Sequence, residues 1–96
     1  MLRKDWDDLA DNGGKGDWYF HGDKSYITVR YGEDRLDVFS IPICTGIKEP
    51  NAWLWDGNKE FPTLHPSVRI LGAFQDGVQE PDLWHGYLQN GKLVNA

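Results

Sequence analysis

The sequence has little cysteine, no long apolar run and a shortage of positive charge, and each of these excludes a class of protein. Cys44 is the single cysteine among 96 residues, so an intramolecular disulfide is impossible and a disulfide-stapled secreted scaffold is excluded. No apolar run approaches the roughly 18 residues of a membrane-spanning helix, and the start of the chain lacks the apolar segment of a signal peptide. We therefore expect a protein of the reducing cytoplasm that does not enter a membrane.

Positive charge is scarce, because ten Lys and Arg residues stand against fifteen Asp and Glu residues and the net charge is −5. Such a chain repels phosphate backbones, so general nucleic-acid binding is not expected. The acidity is concentrated near the start, where residues 1–23 contain six Asp against Arg3, Lys4 and Lys15. A stretch of this kind is most often a solvated surface.

Aromatic residues are abundant by contrast, at 14% of the chain with five Trp. In a domain of this size they supply much of the apolar area that a core requires, so a disordered chain is not expected. Residues 11–16 contain three glycines and no apolar residue, which is typical of a flexible link. We predict an acidic N-terminal arm and glycine-rich link over residues 1–16, and a single small β domain over residues 17–96.

Short runs of β-branched and aromatic residues, separated by turn residues, predict strands. Within residues 25–31, alternation places Ile27, Val29 and Tyr31 on one face. The Asn90-Gly91 pair is a strong hairpin signal, because both central residues of that turn accept positive φ. A loop is predicted at residues 77–81. The predicted strands cover residues 25–31, 35–43, 52–55, 67–71, 83–89 and 92–94.

Helical periodicity is confined to residues 2–10, where Leu2, Trp6 and Leu9 fall on one stripe. The expected fold is mainly β. It is a small single-domain antiparallel sheet or sandwich of about 6–7 short strands, with at most one short N-terminal helix.

Residues 53–68 carry the most distinctive pattern in the chain, W-L-W-D-G followed by P-T-L-H-P-S-V. Residues 84–93 follow with W-H-G-Y-L-Q-N-G-K-L, and residues 39–43 precede both with F-S-I-P-I. In this order and spacing, the three segments resemble a small phage-encoded family of unknown function that genomes often mislabel as ammonia monooxygenase. The resemblance covers residues 39–94 and implies a phage origin and a bacterial host cell.

Members of that family commonly carry a C-P-x-C knuckle and a cysteine before the late histidine, a set suited to tetrahedral zinc. The resemblance places Gly32 and Arg35 near the knuckle positions, Phe39 at the first histidine and Trp84 at the late cysteine. An alternative alignment leaves only Cys44 as a ligand. The zinc site is broken on both alignments, so we expect no metal and no cofactor. Phe39 and Trp84 are predicted to fill the vacated volume by apolar packing.

No catalytic motif is present, because the sequence lacks H-E-x-x-H, G-x-S-x-G and a glycine-rich phosphate loop. Cys44 beside a histidine would make a thiolate dyad, but a lone cysteine after a strand is more often an inert apolar residue. We therefore predict no catalytic residues, and a protein that is more readily a binder than an enzyme.

Several residues are candidates for contact with a partner or ligand. Five tryptophans exceed what a core of this size needs, so one or two are expected to stay exposed as interface anchors. The segment around Pro62 and Pro66 is either a purely structural crossover or a loop that presents a histidine and an arginine beside a tryptophan. A tryptophan on the N-terminal arm is either a contact residue or a lid on the sheet. The candidates are Trp6, Trp53, Trp55, His65, Arg69 and His85.

The expected function is that of a non-enzymatic phage accessory protein that binds a host protein. Inhibition of a bacterial defence complex is one concrete form, since an acidic surface competes for a basic nucleic-acid channel. The alternative is a small-molecule module that binds or sequesters a nucleotide-like ligand, or a small hydrolase. A tryptophan would then stack on a base, and His65, Arg69 or His85 would bind phosphate. A homodimer is left open.

Overall fold

One short helix and ten short strands make up the computed structural model, which describes all 96 residues. The helix α1 spans Trp6–Asp11, and Asp5 caps it by accepting a hydrogen bond from the Asp8 N–H at 2.9 Å. The fold is mainly β, as predicted. No helix has the length and apolar character needed to cross a membrane. The strands are β1 Trp18–Phe20, β2 Tyr26–Arg30, β3 Val38–Cys44, β4 Trp53–Trp55, β5 Leu64–His65, β6 Val68–Ile70, β7 Phe74–Gln75, β8 Val78–Gln79, β9 Trp84–Gln89 and β10 Lys92–Asn95.

The strands form a five-stranded sheet in the order β1-β2-β3-β4-β5 and a three-stranded sheet in the order β10-β9-β6. Every pair is antiparallel except β3 with β4, which run parallel. The chain passes from the first sheet to the second at Pro66 and Ser67, between β5 and β6. The turn between β9 and β10 is Asn90-Gly91, with φ angles of 49° and 75°, as the sequence predicts.

Apolar side chains from both sheets share one core. Alternation in β2 directs Ile27 and Val29 into it, and both are fully buried. From the other sheet, β6 contributes Val68 and β9 contributes Leu88. The complete cluster of buried residues is Trp18, Ile27, Val29, Ile41, Ile43, Trp55, Leu64, Val68, Ile70 and Leu88.

Two polar residues on the opposite face of β2, Thr28 and Arg30, are buried as well. Thr28 Oγ1 lies 2.8 Å from His21 Nε2 and 2.7 Å from Ser40 Oγ. Arg30 is 7% exposed and donates to four backbone carbonyls, those of Leu9, Gly13, Gly32 and Glu33. Because these acceptors belong to two separate segments, Arg30 joins the end of α1 and the turn after β2 to the sheet. A buried cation needs such partners to offset its lost hydration.

Asp17 joins the first residues of the chain to β1. Its carboxylate accepts hydrogen bonds from the Met1 ammonium at 3.0 Å, from Arg3 Nε at 3.0 Å and from the Gly14 N–H at 3.1 Å. Leu2 forms a parallel bridge with Trp18, so the outer edge of β1 is covered. Residues 1–16, which the sequence predicts to be an arm and a link, thus contact the sheet through backbone and side-chain hydrogen bonds.

Residues 71–83 form a second, smaller hairpin structure, which we name the finger. It joins β6 to β9 and contains β7 and β8, connected by a turn at Asp76-Gly77 with φ angles of 52° and 76°. The Glu80 N–H donates to the Ala73 carbonyl at 2.8 Å, and the Leu83 N–H donates to the Ile70 carbonyl at 2.8 Å. Every finger residue except Gly72 is exposed.

The structure corrects three of the predicted boundaries. The helix begins at Trp6 rather than Leu2, because Leu2 pairs with Trp18. The strand predicted over 35–43 begins at Val38, because the Asp34 carboxylate and carbonyl accept from two following N–H groups and form a turn. The loop predicted at 77–81 contains β8. The other predicted strands agree within one residue at each end, and β1, β5, β7 and β8 are additional.

Candidate functional site

The three-stranded sheet has one face toward the core and one toward solvent. Along β9, Gly86 and Leu88 are buried, whereas His85, Tyr87 and Gln89 between them are exposed. Along β6, Val68 and Ile70 are buried and Arg69 is exposed. Val94 of β10 lies opposite Tyr87 and is exposed too. We name the surface formed by Arg69, His85, Tyr87 and Val94 the open face.

The pairing of β6 with β9 places Arg69 directly opposite His85 on the open face. Arg69 Nε donates to Asp82 Oδ2 at 2.8 Å, and this pair ties the open face to the base of the finger. His85 Nε2 lies 3.3 Å from Ser67 Oγ. No third side chain is hydrogen-bonded to the His85 ring, so the pair lacks the orienting group that a nucleophilic serine site uses.

Two more of the predicted residues lie beside Ser67. Trp53 is half-buried, and its indole N–H donates to the Ser67 carbonyl at 3.1 Å. His65 is exposed at the end of β5, two residues before Ser67. The structure thus places four of the six candidates on or next to residues 65–69 and the facing part of β9: Trp53, His65, Arg69 and His85.

The other two candidates lie elsewhere. Trp55 is 7% exposed, its indole N–H donates to the Asn58 carbonyl at 3.0 Å, and its ring contacts Phe20 at a centroid distance of 4.9 Å. It is therefore a core residue with no free ring face to offer a base. Trp6 is half-buried at the start of α1, which packs against β1 of the other sheet.

The residues that the resemblance places at zinc-ligand positions make packing and backbone contacts. Trp84 and Phe39 are half-buried against the core, and the Trp84 indole N–H donates to Asn95 Oδ1 at 2.8 Å. Cys44 Sγ lies 3.4 Å from the Glu49 nitrogen, a backbone donor, and 3.6 Å from the Trp53 carbonyl. No three His, Cys, Asp or Glu side chains come together in a metal-binding group.

The surface around the open face carries no concave pocket, and none is found elsewhere on the molecule. The nucleotide alternative predicts an aromatic and basic pocket beside Arg69, whereas protein binding predicts a flat or convex surface. No pocket of that kind lies beside Arg69. The ion pair with Asp82 also offsets part of the positive charge of Arg69, which weakens Arg69 as a phosphate ligand.

Tyr87, Ser67 and the finger are not among the residues predicted from the sequence. Tyr87 occupies the same face of β9 as His85, so the alternation around His85 was sufficient to include it. The finger has its own signal in the sequence. Asn-Gly and Asp-Gly are the strongest hairpin dipeptides, and Asp76-Gly77 stands between Phe74-Gln75 and Val78-Gln79, each of which contains one apolar residue.

Comparison of the chain with models of protein families, with curated proteins and with solved structures finds no match.

Proposed function

We propose that this chain is a non-enzymatic binding protein that recognises a host protein through the open face. The observation that carries the proposal is the pairing of Arg69 with His85 on a solvent-facing sheet surface without a pocket. An open sheet face of this kind fits a partner with another broad surface, since no surrounding residues enclose a small molecule.

The residue types of the open face support a protein partner. Arginine and tyrosine are enriched at protein interfaces, because each offers a large contact area together with hydrogen-bonding groups. Tyr87 lies beside Val94 on the neighbouring strand, which adds apolar area next to the polar pair. The sheet below is held by the core, so the open face is presented on a rigid support.

The resemblance to the phage-encoded family supports a bacterial host as the source of the partner. The net charge of −5 supports a partner with a basic surface, since opposite charges accelerate encounter. A bacterial defence complex with a nucleic-acid channel has such a surface. The proposed role is therefore a phage accessory protein that blocks a host complex of this kind.

Affinity purification of the full chain from bacterial cells, followed by native mass spectrometry, tests the proposal. We expect one host protein to be retained in a defined stoichiometry, and the variant Tyr87→Ser with His85→Ala to retain at least about tenfold less of it. Leu36→Ser is the matched control, because Leu36 is 71% exposed in the turn between β2 and β3. Retention of a small molecule without a protein contradicts the proposal and favours the ligand-binding alternative.

A further inference from the structure

The finger exposes large apolar side chains that no part of the chain covers. Phe74 is 68% exposed and Val78 is 65% exposed, and Leu71 and Leu83 at the base are also exposed. None of them belongs to the core cluster. A concentration of exposed apolar residues within thirteen positions, on a segment that joins the open face, is typical of an interaction surface.

The register of the finger places its apolar residues on both faces. Phe74 pairs with Gln79 and Gln75 pairs with Val78, so the side chains of Phe74 and Val78 point to opposite sides of the hairpin. A flat partner would cover one of these side chains and leave the other in water. A cleft with two walls buries both.

The finger is also acidic. Asp76, Glu80 and Asp82 are its charged residues, and no Lys or Arg occurs between Ile70 and Gly91. Asp82 is paired with Arg69, whereas Asp76 at the tip and Glu80 form no ion pair. Two copies of the finger would repel each other, and so would two whole chains at −5 each. The charge therefore favours a basic partner over a second copy.

Contacts at the base of the finger hold its two segments together in the unbound chain. Gly72 packs closely against the returning strand, where an added Cβ would lie 2.9 Å from the Glu80 Cβ. Gln79 Nε2 donates to the Gly72 carbonyl at 2.8 Å across the same base. A preorganised hairpin loses less conformational entropy on insertion than a disordered loop does.

We propose that the finger inserts into a cleft of the partner protein, a cleft with apolar walls and with Lys or Arg residues at its floor and its rim. The proposal rests on the proposed function, because it concerns the same partner, and it extends the contact from the open face along Asp82 onto the finger. In the complex Phe74 and Val78 occupy opposite walls, while Asp76 and Glu80 face the basic groups.

Site-specific photo-cross-linking in bacterial cells tests the insertion directly. The full chain carries photo-reactive benzoylphenylalanine in place of Phe74, and a matched chain carries it in place of Leu36. We expect one host protein to be cross-linked from position 74 and not from position 36, through a peptide that contains apolar residues next to Lys or Arg. Equal labelling from both positions, no labelling, or cross-linking to a second copy overturns the proposal.

The host protein identified by cross-linking is then purified without a cross-link, and its affinity for variants of the chain separates the contribution of the finger from that of the open face. Phe74→Ser with Val78→Ser is expected to weaken Kd about 30-fold or more. Asp76→Asn with Glu80→Gln is expected to lower the association rate and its dependence on salt. If the finger variants bind like the unmodified chain while Tyr87→Ser with His85→Ala does not, the finger proposal fails and the proposed function stands. If no host protein binds the unmodified chain, both fail.

Discussion

The sheets and the finger use the same residue types for opposite purposes. In the sheets, ten apolar side chains are buried in one shared core, and Thr28 and Arg30 on the polar side of β2 are buried too. In the finger, Phe74, Val78 and the two leucines remain in water. The finger is held by its hairpin hydrogen bonds and its turn, so its apolar residues contribute little to folding. Composition alone does not distinguish apolar residues that stabilise the fold from those available to a partner. The pairing of each strand does, because it determines which side chains meet the core.

The largest expected effect is a truncation in the middle of the sheets. Ile41 is fully buried on the central strand β3, opposite Ile27 of β2. We expect Ile41→Ala to lower the free energy of unfolding by about 4 kcal/mol, since it removes buried methyl groups and leaves a cavity. Urea unfolding measures this. A loss below about 1 kcal/mol would show that the region relaxes and that the core is not the rigid support described above.

The second effect concerns the polar side of β2. We expect Arg30→Met to cost about 3 kcal/mol, because the carbonyls of Leu9, Gly13, Gly32 and Glu33 all lose their donor. Arg30→Lys is the matched variant, and we expect it to recover only part of the loss because one ammonium cannot reach all four carbonyls. Amide hydrogen exchange is the second readout. Exchange should accelerate in α1 and stay unchanged in the finger, and equal acceleration in both would contradict the assignment of Arg30 to the N-terminal contact.

Trp84 stands third, since it links the sheets to the start of β9 beside the finger. It is half-buried against the core, and its indole N–H is bonded to Asn95. We expect Trp84→Ala to cost about 2 kcal/mol, which is less than a fully buried tryptophan would. Thermal unfolding measures the loss, with Trp84→Phe as the variant that keeps most of the packing. A shift of only a degree or two for the alanine variant would make Trp84 a surface residue and a contact candidate.

The fourth effect depends on pH. Burial by itself raises the pKa of Asp17, but hydrogen bonds from the Met1 ammonium, the Gly14 N–H and Arg3 outweigh it, so the pKa is lowered below 3.8. A lowered pKa in the folded state stabilises the protein above pH 3.8, and this contribution is lost as the pH falls through the folded pKa.

We therefore expect Asp17→Asn to cost about 1 kcal/mol at neutral pH and progressively less as the pH falls below 3.8. Urea unfolding of both proteins across that range checks the expectation. Asp76→Asn on the finger is the control, because Asp76 forms no ion pair. If the cost of Asp17→Asn does not change with pH, the loss of stability comes from the amide NH2 group facing the hydrogen-bond donors and not from the lost charge.

The sequence predicted the fold class and six strands because alternation and turn residues act locally. The Tyr26–Arg30 strand and the Asn90-Gly91 turn are examples, since each is determined by its own residues. Strands of two residues such as β5 are too short to alternate, and they exist because a neighbouring strand supplies the hydrogen bonds. The burial of Arg30 depends on residues 9 and 13, which are distant in sequence, so no local pattern indicates it.

The candidate site was predictable only in part for the same reason. Residue type indicates His85 and Arg69, but their pairing requires the register of β6 against β9, which neither segment encodes alone. Trp53 and Trp55 are equivalent in sequence, yet one contacts Ser67 at the edge of the open face and the other fills the core. Which tryptophan is available therefore depends on the packing of the two sheets.

The smallest expected effect lies in the finger itself. Phe74→Ser with Val78→Ser should change the free energy of unfolding by less than about 0.5 kcal/mol, because both side chains are exposed and on opposite sides of the hairpin. The slope of the urea transition should also stay constant, since the variant exposes no new surface on unfolding. Urea unfolding beside Ile41→Ala gives the direct contrast between finger and sheets. A loss above about 1 kcal/mol would mean that the finger packs on its own domain in solution, and its apolar residues would then stabilise the fold and not be free for a partner.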